Sequence, residues 1–105
     1  MSKEAEKADR IKEQVRTVLR PYEIEHPDAQ IAVKRQNSVS IRVRVVDPAF
    51  EGVPREERDR DIWKLLETLP EDVFCDITVL LLLTPKEAET SLANLEFNDP
   101  LPSRL

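Results

Sequence analysis

Val39-Ser40-Ile41-Arg42-Val43-Arg44-Val45 runs into Val46-Asp47-Pro48. Apolar and polar side chains alternate through the first seven residues, the period of a strand with one buried face. Asp47-Pro48 stops that strand. Upstream, Ile31 and Val33 alternate with polar neighbours and predict a shorter strand over 30–35. Gln36-Asn37-Ser38 between them suits a tight turn, because Asn tolerates positive φ. The two strands therefore form an antiparallel hairpin.

Downstream, Pro54–Leu69 predicts a helix with proline at its first position and Glu56 and Glu57 at the positive end of the dipole. Ile62, Leu65, Leu66 and Leu69 make its apolar stripe. Pro70–Phe74 adds a short turn, and Cys75–Leu83 reads as a third strand. A strand, a helix and a strand in one sheet favour a right-handed crossover, which makes strands two and three parallel. Thr84-Pro85-Lys86-Glu87 is a capping box that opens a last helix over 85–94. Before the hairpin, Ile11, Val15, Val18 and Leu19 place a helix from about Lys3 to Leu19 or Arg20, ended by Pro21, with a loop over Tyr22–Ala29. The order is αββαβα. Three apolar helix stripes sharing a three-stranded mixed sheet give a two-layer α+β sandwich with the helices on one face. Residues 1–97 make one domain, and 98–105 are expected to be a flexible tail.

Composition narrows the function. Of 105 residues 40% are hydrophobic and 35% charged, an ordinary globular mixture. The longest apolar run, Val79–Leu83, has five residues, far short of the roughly 18 that span a bilayer. Met1–Lys7 is charged and unlike a secretion signal, and the sole cysteine, Cys75, closes no intrachain disulfide, so a cytoplasmic setting is expected. The single glycine, Gly52, excludes glycine-rich phosphate loops and a GxxG nucleic-acid clamp. One Cys and one His make no Cys/His zinc site. Residues 1–53 hold 10 of the 16 Lys/Arg and 9 of the 21 Asp/Glu, so the second half carries most of the net charge of −5. That balance opposes phosphate binding.

The stretch after strand two, Phe50-Glu51-Gly52, then five residues, then Arg58-Asp59-Arg60 and the apolar Ile62-Trp63-Lys64-Leu65-Leu66, resembles the BolA-like family, whose pattern there is Phe-x-Gly, five residues, Arg-His-Arg. Asp76-Ile77-Thr78 and Thr84-Pro85-Lys86-Glu87 match the family's His-Ala-Leu strand and Thr-x-x-Glu. The resemblance covers roughly 39–90 and implies a fold of the class II KH type. It also implies a non-enzymatic adaptor or regulator that binds a monothiol-glutaredoxin-like partner. In the family a histidine ligates a shared iron–sulfur cluster, but here Asp59 and Asp76 occupy both histidine positions, and the ligand loop is cut to Gln36-Asn37-Ser38. Neither cofactor nor metal is therefore expected.

Partner contacts are expected from Phe50 anchoring the loop, Gly52 allowing its turn, Arg58, Asp59 and Arg60 on the helix, Asp76, and Leu80 and Leu82. The last two face outward if Ile77, Val79 and Leu81 face the helices. Such an apolar patch needs a cover: the segment with Leu92, Leu95 and Phe97, a second copy in a homodimer, or another protein. Lys34, Arg35, Arg42 and Arg44 form a basic surface on the hairpin without the stacking aromatics of an RNA platform, so a KH-like nucleic-acid regulator is the alternative. His26 beside Asp28 has the residue types of a base or ligand, but is expected to be a solvated loop histidine. Cys75 is expected to be a small buried hydrophobe. Asp59 and Asp76 as a carboxylate pair would need to meet in space, and Asp59 pairs more simply with Arg55 one turn back.

Overall fold

The computed structural model describes residues 3–37, 40–91, 94, 95 and 97. The elements are α1 (Lys3–Glu25), β1 (Gln30–Asn37), β2 (Ser40–Val46), α2 (Arg55–Leu66), α3 (Glu71–Cys75), β3 (Ile77–Leu83) and α4 (Pro85–Thr90), with one 3-10 turn at Pro48–Phe50. The sheet runs β1-β2-β3, antiparallel then parallel, so the molecule is the α+β sandwich with a mixed sheet that the patterning predicts. Gln36 and Asn37, expected in the turn, instead extend β1, and Asn37 pairs with Ser40; Ser38 of that turn, and the expected tail at 98–105, lie outside the described residues.

One apolar core lies between the sheet and the helices. Val15 and Leu19 of α1, Ile41, Val43 and Val45 of β2, and Ile62 and Leu66 of α2 are fully buried in it. Each such side chain contributes about 1.5–3 kcal/mol on leaving water. Leu69 joins the core just past α2 rather than within it.

Several expectations are corrected. Pro21 does not end α1, which continues to Glu25. Proline lacks the N–H that would bond one turn back. Tyr22 offsets that loss, because its ring is buried and its hydroxyl bonds Asp47. Cys75 closes α3 and is exposed, rather than opening β3 as a buried hydrophobe. The last helix stops at Thr90, where Ser91 turns extended.

The largest correction concerns the facing of β3. Ile77 pairs with Ile41, but Arg42 pairs with Val79, so Thr78 is an extra residue in the ladder. Its hydroxyl sits 2.5 Å from that of Ser40. One inserted residue reverses the alternation. Leu80 and Leu82 therefore share the helix side with Val43 and Val45, and Leu82 belongs to the core. Val79 and Leu81 take the open side with Arg42 and Arg44. The outward Leu80/Leu82 patch does not exist.

Candidate partner-binding site

Asp47 ends β2 with its N–H on Leu83 O at 2.9 Å, and its Oδ1 accepts from Ala49 N at 2.9 Å, capping the 3-10 turn that Pro48 opens. This carboxylate is 2% exposed. Its Oδ2 takes the Tyr22 hydroxyl and lies 3.2 Å from His26 Nδ1. The Tyr22 and His26 rings stack at 4.1 Å between centroids, and Tyr22 also stacks on Phe50 at 6.2 Å. Burial above all, then the hydrogen bond and charge of Asp47, push the Tyr22 phenol far above its usual range. His26 is thus half-buried against Asp47, rather than a loop histidine free of partners.

The other end of the loop is held by Arg58, only 6% exposed. Its Nε donates to Val53 O at 2.8 Å, Nη2 to Phe50 O at 2.9 Å and Nη1 to Leu82 O at 3.0 Å. Nη1 also meets Glu87 Oε1 at 2.7 Å, and the guanidinium lies 5.3 Å from the centre of the Phe50 ring. A planar five-donor fork fits so many acceptors where an ammonium does not. Glu87 Oε1 accepts in turn from Thr84 N at 2.8 Å. That backbone bond, and next Arg58, hold the Glu87 carboxyl below its usual range. Arg58 is therefore committed mainly within the chain, which corrects its expected role as a free partner contact: four of its five N–H donors tie loop, β3 and α4 together.

Phe50 is buried inside this frame, and Gly52 turns the chain at φ +76°, the left-handed region open to glycine. What faces outward is Glu51, Gly52, Pro54, Arg55 and Arg60, with Asp59 half-buried. A cleft of about 160 Å³ runs between Arg55, Arg58 and Asp59 and the β3 edge at Leu80–Leu83. No family model, curated protein or solved structure matches this chain.

Asp76 lies apart from this cleft's lining, at the C-cap of α3, where its carbonyl accepts from Ile41 N at 2.7 Å. Among the described residues, no three His, Cys, Asp or Glu side chains are grouped to hold a metal ion. The hairpin cations also divide. Arg35 pairs with Ile41 and so points to the helix side, whereas Lys34, Arg42 and Arg44 share the open side. There Lys34 Nζ and the Arg44 guanidinium lie 5.1 and 4.8 Å from the Phe97 ring centre. Among the described residues, no helix is long and apolar enough to cross a membrane.

Asp47 and Asn94 are absent from the sequence reading of the site. Asp-Pro before a turn is itself a cap signal, and it marks Asp47 as more than a strand stop. Nothing in the sequence pairs Asp47 with Tyr22 and His26, which approach from the far end of another element.

Proposed function

We propose that this chain is a BolA-like, non-enzymatic adaptor that binds a protein partner of the monothiol-glutaredoxin kind through the loop after β2 and the first turns of α2. The observation that carries this is the buried Arg58 clamp. It gives the Phe-x-Gly and Arg-x-Arg spacing a physical purpose, since Phe50 O, Val53 O and Leu82 O all converge on one guanidinium. A loop fixed at both ends binds without the cost of ordering itself. Arg55 and Arg60 then supply charged contacts beside Gly52, where the missing side chain lets a partner approach closely.

Asp59 and Asp76 stand where the family has histidines, and two carboxylates do not suit an iron–sulfur cluster. Adding a cluster-loaded monothiol glutaredoxin under anaerobic conditions is expected to leave its absorption spectrum unchanged. The binding itself is tested by titrating isotope-labelled protein with purified apo monothiol glutaredoxin. Amide shifts are expected at Gly52, Arg55, Asp59 and Arg60, and Arg55→Glu with Arg60→Glu weakens the affinity at least about tenfold. An unchanged spectrum of amides at a tenfold excess of partner sinks the reading. So does a doubled mass in sedimentation with those same residues buried, which makes the surface a homodimer contact.

A further inference from the structure

The sheet's open face is not bare. Across its three strands, Ala32, Arg44 and Leu81 form one row and Lys34, Arg42 and Val79 the next. The chain crosses this face after α4. Ser91 ends that helix, and its hydroxyl then accepts from Asn94 N at 3.2 Å, starting a new helical turn. Phe97 from that turn is 1% exposed, yet it lies outside the main core cluster. Its ring faces the two cations of Lys34 and Arg44. Lys34 Nζ donates to Phe97 O at 3.3 Å, and Arg44 Nη1 to Asn94 Oδ1 at 2.8 Å.

We propose that this face is a peptide-docking groove that accepts a helical turn bearing a carboxamide and, three residues on, an aromatic ring. Asn94 and Phe97 of the chain itself fill it as internal occupants. A partner segment of that chemistry displaces the internal one.

Three observations carry the assignment. First, the contacts form a recognition set: Arg44 reads the amide, Lys34 reads the backbone carbonyl, and both place charge on the ring, a fit for aromatic residues over aliphatic ones. Second, among the described residues, few apolar side chains hold the segment. α4 contributes no buried residue, Leu95 is 58% exposed, and Phe97 is the segment's one buried apolar side chain among the described residues. Segments with so few buried apolar contacts open well before the whole molecule unfolds. Third, charge is complementary. The groove is basic, while the segment reads Asn94-Leu95-Glu96-Phe97-Asn98-Asp99. A short tether holds an internal occupant at roughly millimolar effective concentration, so an incoming peptide competes against it. This groove lies on the opposite face of the sheet from the core and does not use the α2 platform, so it stands whether or not a glutaredoxin binds.

The probe is a synthetic peptide with the sequence of residues 91–105, titrated into the full chain and into its Phe97→Ala variant. The variant is expected to bind at least about tenfold more tightly than the unaltered chain, because its own segment no longer competes. Adding Arg44→Ala to that variant lowers the affinity about tenfold again, and the peptide carrying Phe97→Ala does not bind. Equal affinity in both proteins, or binding that ignores the peptide's phenylalanine, overturns the proposal. So does a chain that exchanges its segment with a second copy and becomes dimeric instead. A single-stranded RNA that binds the Phe97→Ala variant more tightly than the peptide overturns it too. Hydrogen exchange on the unaltered chain gives a second measurement, independent of how the variant folds. The Asn94 and Leu95 amides are expected to exchange at least about tenfold faster than those of Val43 and Val45. Exchange at the same rate means the segment leaves only on global unfolding, and the proposal fails.

Discussion

Asp47 and Arg58 solve the same problem from opposite charges: each is a buried ionisable side chain whose partners fix a loop that would otherwise be free. Tyr22 is the chain's single tyrosine, so its titration is read without interference. Its raised folded value means that stability is intact below the ordinary phenol value near 10 and is lost as pH climbs beyond it. Urea midpoints measured at pH 8 and pH 11 are expected to fall further for the unaltered chain than for Tyr22→Phe. At pH 8 the variant is weaker by roughly 1–3 kcal/mol, since the buried Asp47 loses a donor while the ring stack remains. Equal alkaline falls in both proteins contradict the Tyr22–Asp47 bond. Arg58→Lys keeps the charge and loses the fork. Phe50 O, Val53 O and Leu82 O cannot all be met by one ammonium, so a destabilisation of about 3–5 kcal/mol is expected in chemical denaturation. A loss below 1 kcal/mol means that the clamp is not what holds the loop. Neither role is written in composition. Arg58 is legible only through its spacing from Phe50, and Asp47 only through the proline that follows it.

Elements are legible where periodicity is strong and hidden where one residue changes the phase. Ile41, Val43 and Val45 alternate without interruption, and their strand, face and burial follow directly. Val79–Leu83 is apolar throughout, so alternation offers no guide, and the extra residue at Thr78 decides which leucines are inside. An apolar run hides its own bulge. The consequence is measurable: Leu82→Ala removes a core side chain and is expected to cost about 2–5 kcal/mol, while Leu81→Ala, half-buried on the open side, costs less. The reverse ranking restores the opposite facing. The capping box of α4 was legible because it is local: Thr84 Oγ1 accepts from Glu87 N at 3.1 Å while Glu87 reaches back. With its carboxyl held below the usual value near 4.5, Glu87 lends stability that is complete above that value and disappears as pH drops through the folded one. Glu87→Gln keeps a side chain able to complete the box but removes the titrating charge. Its stability is therefore expected to decline less between pH 5 and about pH 3 than that of the unaltered chain, read by urea midpoints. Parallel declines dissociate Glu87 from the acid sensitivity.

At the scale of the whole molecule, the single core decides how the chain comes apart. Ile11, Val15 and Leu19, the three strands, Ile62 and Leu66, and Val73 all contribute to one apolar cluster, so no long element can leave without opening the others. The apolar stripes predict this shared core, but Pro21 and His26-Pro27-Asp28 read as a loop over Tyr22–Ala29 outside it. The structure extends α1 past Pro21, and Tyr22 joins the cluster beside Phe50. Two single aromatic reporters make the difference visible. Trp63 of α2 packs edge-on against Phe74 of α3 at 5.3 Å, and Tyr22 sits near the far end of α1. If the turn after Pro21 belongs to the same cooperative unit, Trp63 fluorescence, Tyr22 absorbance and far-ultraviolet circular dichroism give one urea midpoint and superimposable transitions. A Tyr22 signal that moves at lower urea than Trp63 divides the molecule, with the Asp47 cluster opening before the sheet. Coincidence is the expected result, because the same Asp47 carboxylate that binds Tyr22 is fastened through its backbone to Leu83 of β3. Releasing the end of α1 then strips a donor from a buried charge at the end of β2, a cost borne by the sheet as much as by the helix.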